Sequence, residues 1–135
     1  MMRVIRDVPP MFDEIDAAFH VRDSRVIFAW GDKIYAPLQQ GELPKALLLH
    51  EAVHGERQLA YPGGIEAWWR RYIAEPAFRL AEEIPAHKAE LTHLLTKAKG
   101  PSMRAHVLSR TAARLAAPLY GSLVTIAEAK QLLAA

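Results

Sequence analysis

Leu43-Pro44-Lys45-Ala46-Leu47-Leu48-Leu49-His50-Glu51-Ala52-Val53-His54-Gly55-Glu56-Arg57-Gln58-Leu59-Ala60, followed by Tyr61-Pro62-Gly63-Gly64, is the stretch from which the rest of the chain is read. Pro44 suits a first helical turn, where its missing N–H costs nothing. The Tyr-Pro-Gly-Gly run is a strong stop. Together they predict a helix over roughly 44–60. At ~100° per residue, Leu48, Leu49, Ala52, Val53, Leu59 and Ala60 share one broad side. His50, Glu51, His54 and Gln58 share the other, with Leu47 among them.

Histidines four apart on a helix project from one face, about one turn apart. Both imidazoles can then hold one ion from the same side. Glu51, beside the first histidine, is placed to take a proton from a water on that ion. The chain has no cysteine, so disulfides and thiolate ligands are excluded and a metal must be held by His, Asp, Glu and water. Zn2+ in a hydrolytic site takes three protein ligands and keeps one position open.

His50 and His54 leave one ligand to find. The acids and histidines that follow them are Glu66, Glu75, Glu82, Glu83, His87, Glu90 and His93, and residues 78–91 are the richest segment. There Leu80, Ile84, Leu91 and Leu95 repeat as one helical stripe, expected to pack toward the His50–His54 helix. Glu83 and His87 lie at its margin, whereas Glu82 and His93 lie nearly opposite and are expected in solvent. The spacing therefore favours Glu83 over Glu82 as the third ligand, with Pro85 able to shift the helical phase. His87 has three readings: a ligand, a group acting near the site, or a half-exposed histidine on a helix border.

Elsewhere, Arg3 to Val8 reads as a short strand ended by Pro9-Pro10, and Met11 to Phe19 is ambiguous, with a helical turn led by Asp13 and Glu14 as one reading. Arg25 to Trp30 and Lys33 to Ala36, parted by Gly31-Asp32, read as a hairpin. Helices are expected over 65–74, with Trp68, Trp69 and Tyr72 as core, over 77–99, and from a Ser102 cap to about 116. Thr125-Ile126-Ala127-Glu128 predicts a capping box for a short last helix. The class is thus α+β: a small antiparallel sheet or hairpin followed by four to five helices, in a single domain spanning 1–135.

At 135 residues, 51% hydrophobic and 24% charged, the composition is that of an ordinary globular domain. A formal charge of +2 is too mild to argue for nucleic acid, and Arg104, Arg110 and Arg114 read as a solvated face. No stretch reaches the ~20 apolar residues of a membrane span, and the N-terminus lacks the apolar run of a secretory signal. Together with the lack of cysteine, this predicts a cytoplasmic protein with no nucleic-acid or membrane partner.

Several segments resemble a known group. His-Glu-Ala-Val-His-Gly-x-x-Gln at 50–58, Trp-Trp-x-x-Tyr at 68–72 and Phe-Arg-Leu-x-x-Glu-x-x-Ala-His at 78–87 are similar to small peptidases encoded in bacteriophage genomes. With the strand Ile34-Tyr35-Ala36-Pro37 upstream, they look like a minimal gluzincin metallopeptidase over residues 34–95. The resemblance implies a zincin-like fold, zinc, a peptide or protein substrate and, for a phage-encoded member, the host cytoplasm. Larger gluzincins often carry Asp after the alanine of the Glu-x-x-Ala element, supporting the first histidine; this chain carries His87 there.

The expected activity is zinc-dependent peptide-bond hydrolysis. His50, His54 and Glu83 hold the metal, Glu51 is the general base, and His87, Tyr61, Tyr72 or Tyr120 donates to the oxyanion. The strand ending at Tyr35-Ala36 is expected to hold substrate by strand addition. The alternative is a metal-bound structural or interaction module without turnover, in which Glu51 is a bystander.

Overall fold

The computed structural model describes residues 2–135. The elements are β1 (Arg3–Ile5), α1 (Phe12–Phe19), β2 (Phe28–Trp30), β3 (Lys33–Tyr35), α2 (Lys45–Ala60), α3 (Gly64–Ala74), α4 (Pro76–Leu95), α5 (Gly100–Leu115), a 3₁₀ turn at Pro118–Tyr120, and α6 (Ile126–Ala134). The α+β class is as the sequence predicts. The ambiguous stretch before residue 20 is a real helix, α1. Its Phe12 and Ile15 are buried, and Asp13 and Glu14 sit in its first turn, where acids complement the helix dipole.

The hairpin forms across Gly31-Asp32, pairing Phe28 with Tyr35 and Trp30 with Lys33 antiparallel. Gly31 takes φ +62°, open to glycine at little cost. The sheet is mixed rather than purely antiparallel, because β1 pairs parallel with β3, Arg3 opposite Lys33. The order β1-β3-β2 makes β3 the central strand. The strand ending at Tyr35 therefore has no free edge to offer a substrate, which corrects the strand-addition expectation. On β2, the Ala29 carbonyl accepts hydrogen bonds from Gln58 Nε2 at 3.0 Å and Trp69 Nε1 at 3.1 Å.

Gln58 and Gly55 dock α2 on this hairpin. Gln58 is fully buried, and its Oε1 accepts the Gly31 backbone N–H at 2.7 Å. At Gly55 the backbones approach so closely that a Cβ would lie 2.0 Å from the Gly31 carbonyl oxygen. Half of the His-Gly-x-x-Gln wording is thus structural, holding the helix against the strands.

The faces of α2 are used in an unusual sense. Its buried residues are His50, Glu51, His54, Gly55 and Gln58, while Leu59 on the apolar side is 63% exposed and Leu48, Leu49, Ala52 and Val53 are only half-buried. The partner helix explains this. α4 buries Arg79, Glu82, Glu83, Ala86, His87 and Glu90, so the two helices meet through their polar faces.

The apolar stripe of α4 does not pack toward α2 as expected. Leu91, with Leu80, Ile84 and Leu95 at its edge, packs against Ala112 and Leu115 of α5 and Ala129 and Leu133 of α6. A second core of Phe12, Ile15, Val21, Phe28, Trp68, Trp69 and Tyr72 lies on the other side of the α2–α4 seam. The aromatic residues of α3 are core, as predicted. The seam itself is polar, while a third apolar cluster of Ile27, Ile34, Ala36 and Leu43 takes Leu47 and Leu48 from α2.

Pro85 does not interrupt α4. It denies the Ala81 carbonyl its helical donor, but Ala81 is exposed, so water can replace that bond. Ser102 is not a cap: α5 starts at Gly100 after Lys99, with no side-chain cap bond. The Thr125 capping box is present, with Glu128 N–H donating to Thr125 Oγ1 at 3.1 Å and Thr125 N–H to Glu128 Oε1 at 2.9 Å. No helix among the described residues is long and apolar enough to cross a membrane.

Candidate metal centre

The helical phase of α2 brings His50 and His54 to the seam together, with ring centroids 5.0 Å apart. From α4, Glu83 reaches between them. Its Oε1 lies 3.3 Å from His50 Nε2 and its Oε2 lies 3.0 Å from His54 Nε2. One ligand atom from each residue falls within a 4.8 Å set, and all three residues are buried. This cluster can hold a metal ion. Ligand atoms ~2.1 Å from a tetrahedral ion are roughly 3.4 Å from one another, close to the separations seen here.

Two further observations fit a cation. Glu83 Oε1 is buried without a hydrogen-bond partner, as is His54 Nδ1, and such atoms are costly unless something satisfies them. The Glu83 carboxyl would be raised by burial, but the charge of His54 and the close approach of the His50 and His54 rings hold it well below the usual carboxylate range. A carboxylate and two imidazoles, once the imidazoles are neutral, are a donor set that a divalent metal can use.

Glu51 lines the same cavity and is almost fully buried, yet stands apart from the converging set of His50, His54 and Glu83, with Oε1 3.9 Å from His50 Nε2. Burial pushes its carboxyl up, partly opposed by His50 and His54. A base with raised proton affinity beside the metal position is suited to accept a proton.

His87 is buried, not a border histidine. Its ring packs edge-on to His50 with centroids 4.6 Å apart. Its Nδ1 lies 2.8 Å from the Glu83 backbone carbonyl, an acceptor, so Nδ1 carries the proton and donates. Burial and the charge of His50 lower its pKa to about 4, so it is neutral at neutral pH. It joins His50 and Glu90 in a second set of converging ligand atoms, but not the set around Glu83.

Of the four oxyanion-donor candidates, Tyr61 packs edge-on to Phe78 and does not line the cavity. Tyr72 is committed, its hydroxyl donating to Glu83 Oε2 at 2.5 Å. Tyr120 lines the cavity, and burial, then the charges of Glu83 and Glu51, push its hydroxyl well above the usual phenol value. Both phenols therefore remain protonated. Arg79 carries Tyr120 into place, donating to the Tyr120 carbonyl at 2.8 Å and to the Tyr72 and Ile73 carbonyls at 2.9 Å.

Glu82 does not face solvent. It is 4% exposed and accepts a two-pronged hydrogen bond from Arg57 and a 2.7 Å bond from Trp68 Nε1. It points along a different side of the α2–α4 seam from Glu83. Glu83→Ala is therefore expected to weaken metal binding strongly. Glu82→Ala should leave metal content intact while costing about 2–3 kcal/mol of stability, because it strands a buried indole N–H and breaks a charge-assisted pair. Metal analysis and urea unfolding of both variants check this; metal loss from Glu82→Ala with retention in Glu83→Ala would reverse the assignment.

The sequence missed the support of His50. Glu90, one turn after His87, places Oε1 3.0 Å from His50 Nδ1, and Arg114 of α5 pairs with Glu90 Oε2. Arg114 is thus not simply part of a solvated face. Glu83, His87 and Glu90 stand at i, i+4 and i+7, a helical stripe that could have placed Glu90 with them. No spacing within one helix announces Arg114.

Comparison with protein-family models, with curated proteins and with solved structures gave no match, so the gluzincin resemblance rests on the residues quoted above.

Proposed function

We propose that this protein is a zinc-dependent peptide hydrolase. The observation that carries the reading is the convergence of His50, His54 and Glu83 on one point, with Glu51 buried beside it on the same cavity. A zinc ion held by His50, His54 and Glu83 would supply a Lewis acid for the scissile carbonyl and make a nearby water easier to deprotonate. Two imidazoles and one carboxylate are a donor set that hydrolytic zinc takes and that ferrous iron also takes; Glu51 beside the set, placed as a base, is what favours the zinc reading.

The residues divide the work. His50 and His54 present Nε2 atoms, and Glu83 presents a carboxylate that Tyr72 orients. Glu51 takes the proton of the attacking water and delivers it to the leaving amine. Tyr120 keeps its proton and donates a hydrogen bond to the carbonyl oxygen as negative charge grows there.

A second reading has one observation in its favour. The cavity measures about 60 Å³, enough for a few waters, each needing roughly 10–15 Å³ on this measure, but not for a peptide. Phe19, Val21, Val26, Ile27, Leu119 and Tyr120 are among its lining residues, so a peptide carbonyl reaches His50 and His54 only if part of this lining gives way. A metal held purely for structure needs no such opening.

The two readings separate in one experiment. Purified protein, zinc-loaded or chelator-stripped, is incubated with a mixed peptide library, and products are sequenced by mass spectrometry. Hydrolysis expects reproducible cleavage by the loaded protein that chelation removes and zinc restores. A stoichiometric metal whose removal lowers thermal stability, with no cleavage in either form, would establish the structural module instead.

A further inference from the structure

His50 is held from behind by residues of two different helices. Its Nδ1 lies 3.0 Å from Glu90 Oε1, and both side chains are buried. The other oxygen of Glu90 meets the guanidinium of Arg114, at the last turn of α5. A carboxylate only accepts hydrogen bonds when ionised, so this contact places the proton of His50 on Nδ1 and turns the Nε2 lone pair toward Glu83 and His54. Arg114 is only partly buried, with 43% of its side chain exposed. The chain of contacts therefore runs from solvent to the metal position.

We propose that Glu90 and Arg114 form a positioning pair that sets the metal affinity of the centre through the ring of His50. This rests on the metal-centre reading above and adds residues from outside the three ligands. A ligating imidazole gains basicity and a defined orientation when its remote N–H is held by a carboxylate. A buried carboxylate in turn needs a countercharge to stay ionised, and the Arg114 guanidinium is the cation that contacts Glu90. α5, which contributes no ligand, is thereby coupled to the centre.

The same atoms allow a rival. His50, His87 and Glu90 also offer converging ligand atoms, and a second ion between them would replace the His50–Glu90 hydrogen bond. The rival predicts two ions per chain.

The test measures zinc affinity by competition with a chromophoric chelator, and ligand geometry by the visible bands of the cobalt-substituted full chain. Glu90→Gln keeps the shape and removes the charge; it is expected to weaken zinc binding about 10–100-fold. Arg114→Met should weaken it by a smaller factor, and Arg114→Lys should recover most of the loss. Glu90→Gln should also shift the cobalt bands, whereas Arg110→Met should not. Thermal stability of the metal-free forms is measured in parallel. Variants that lose stability but keep wild-type zinc affinity and cobalt bands would overturn the positioning role. Two zinc ions per wild-type chain would overturn it in favour of the second site. Wild-type protein that binds no zinc at all would refute the metal centre itself, a distinguishable result.

Discussion

Replacing Glu51 with Gln is expected to leave the metal in place and to reduce peptide hydrolysis by about two or more orders of magnitude. The substitution keeps shape and volume in a nearly enclosed position, so packing beside His50 survives. It replaces the basic carboxylate that accepts the proton with a non-basic amide, and removes the carboxylic acid that would deliver the proton to the amine. Glu51 stands outside the converging set formed by His50, His54 and Glu83, so metal content should match wild type. Equal turnover in variant and wild type would remove Glu51 from the mechanism. Loss of the metal would instead make Glu51 a ligand.

The second large effect concerns folding. Gly55→Ala should destabilise the protein by more than about 3 kcal/mol, a large share of the roughly 5–15 kcal/mol that keeps a domain folded. The reason is local: the added Cβ would meet the Gly31 carbonyl oxygen at 2.0 Å. That neighbour is backbone in a tight turn rather than the end of a flexible side chain. Relief requires α2 to lift from the hairpin, which also breaks the bonds of Gln58 to Gly31 N–H and the Ala29 carbonyl. Ordinarily Gly→Ala within a helix is favourable by about 1 kcal/mol, so the expected sign is opposite to helix propensity. Urea unfolding of Gly55→Ala beside the exposed-site control Glu56→Ala checks this. A variant as stable as the control would mean that helix and hairpin do not touch this closely.

Much of the local structure was legible because it depends on near neighbours in the chain. The limits of α2, the glycine turn between β2 and β3, and the Thr125 capping box are all set within a few residues. The likeness of His50 and His54 in phase was legible for the same reason, since four residues make about one turn whatever the surroundings. Glu83 does lie between His50 and His54, but not for the reason its spacing suggested. The stripe it borders packs on α5 and α6, and it is the opposite, polar side of α4 that faces α2.

By itself, then, the sequence determined the α+β class, the shared face of His50, Glu51 and His54, and the placing of Glu83 within reach of a helical partner. Tertiary structure decided which faces are buried. Hydrophobic periodicity identifies a core when apolar side chains seek one another. It misreads a seam where paired charges and hydrogen bonds satisfy one another, as Arg57 does for Glu82 and Tyr72 for Glu83. The contact of Glu90 with Arg114 joins positions on separate helices, and the parallel pairing of β1 with β3 joins positions some thirty residues apart. Such contacts arise from how whole elements pack, and no local spacing encodes them.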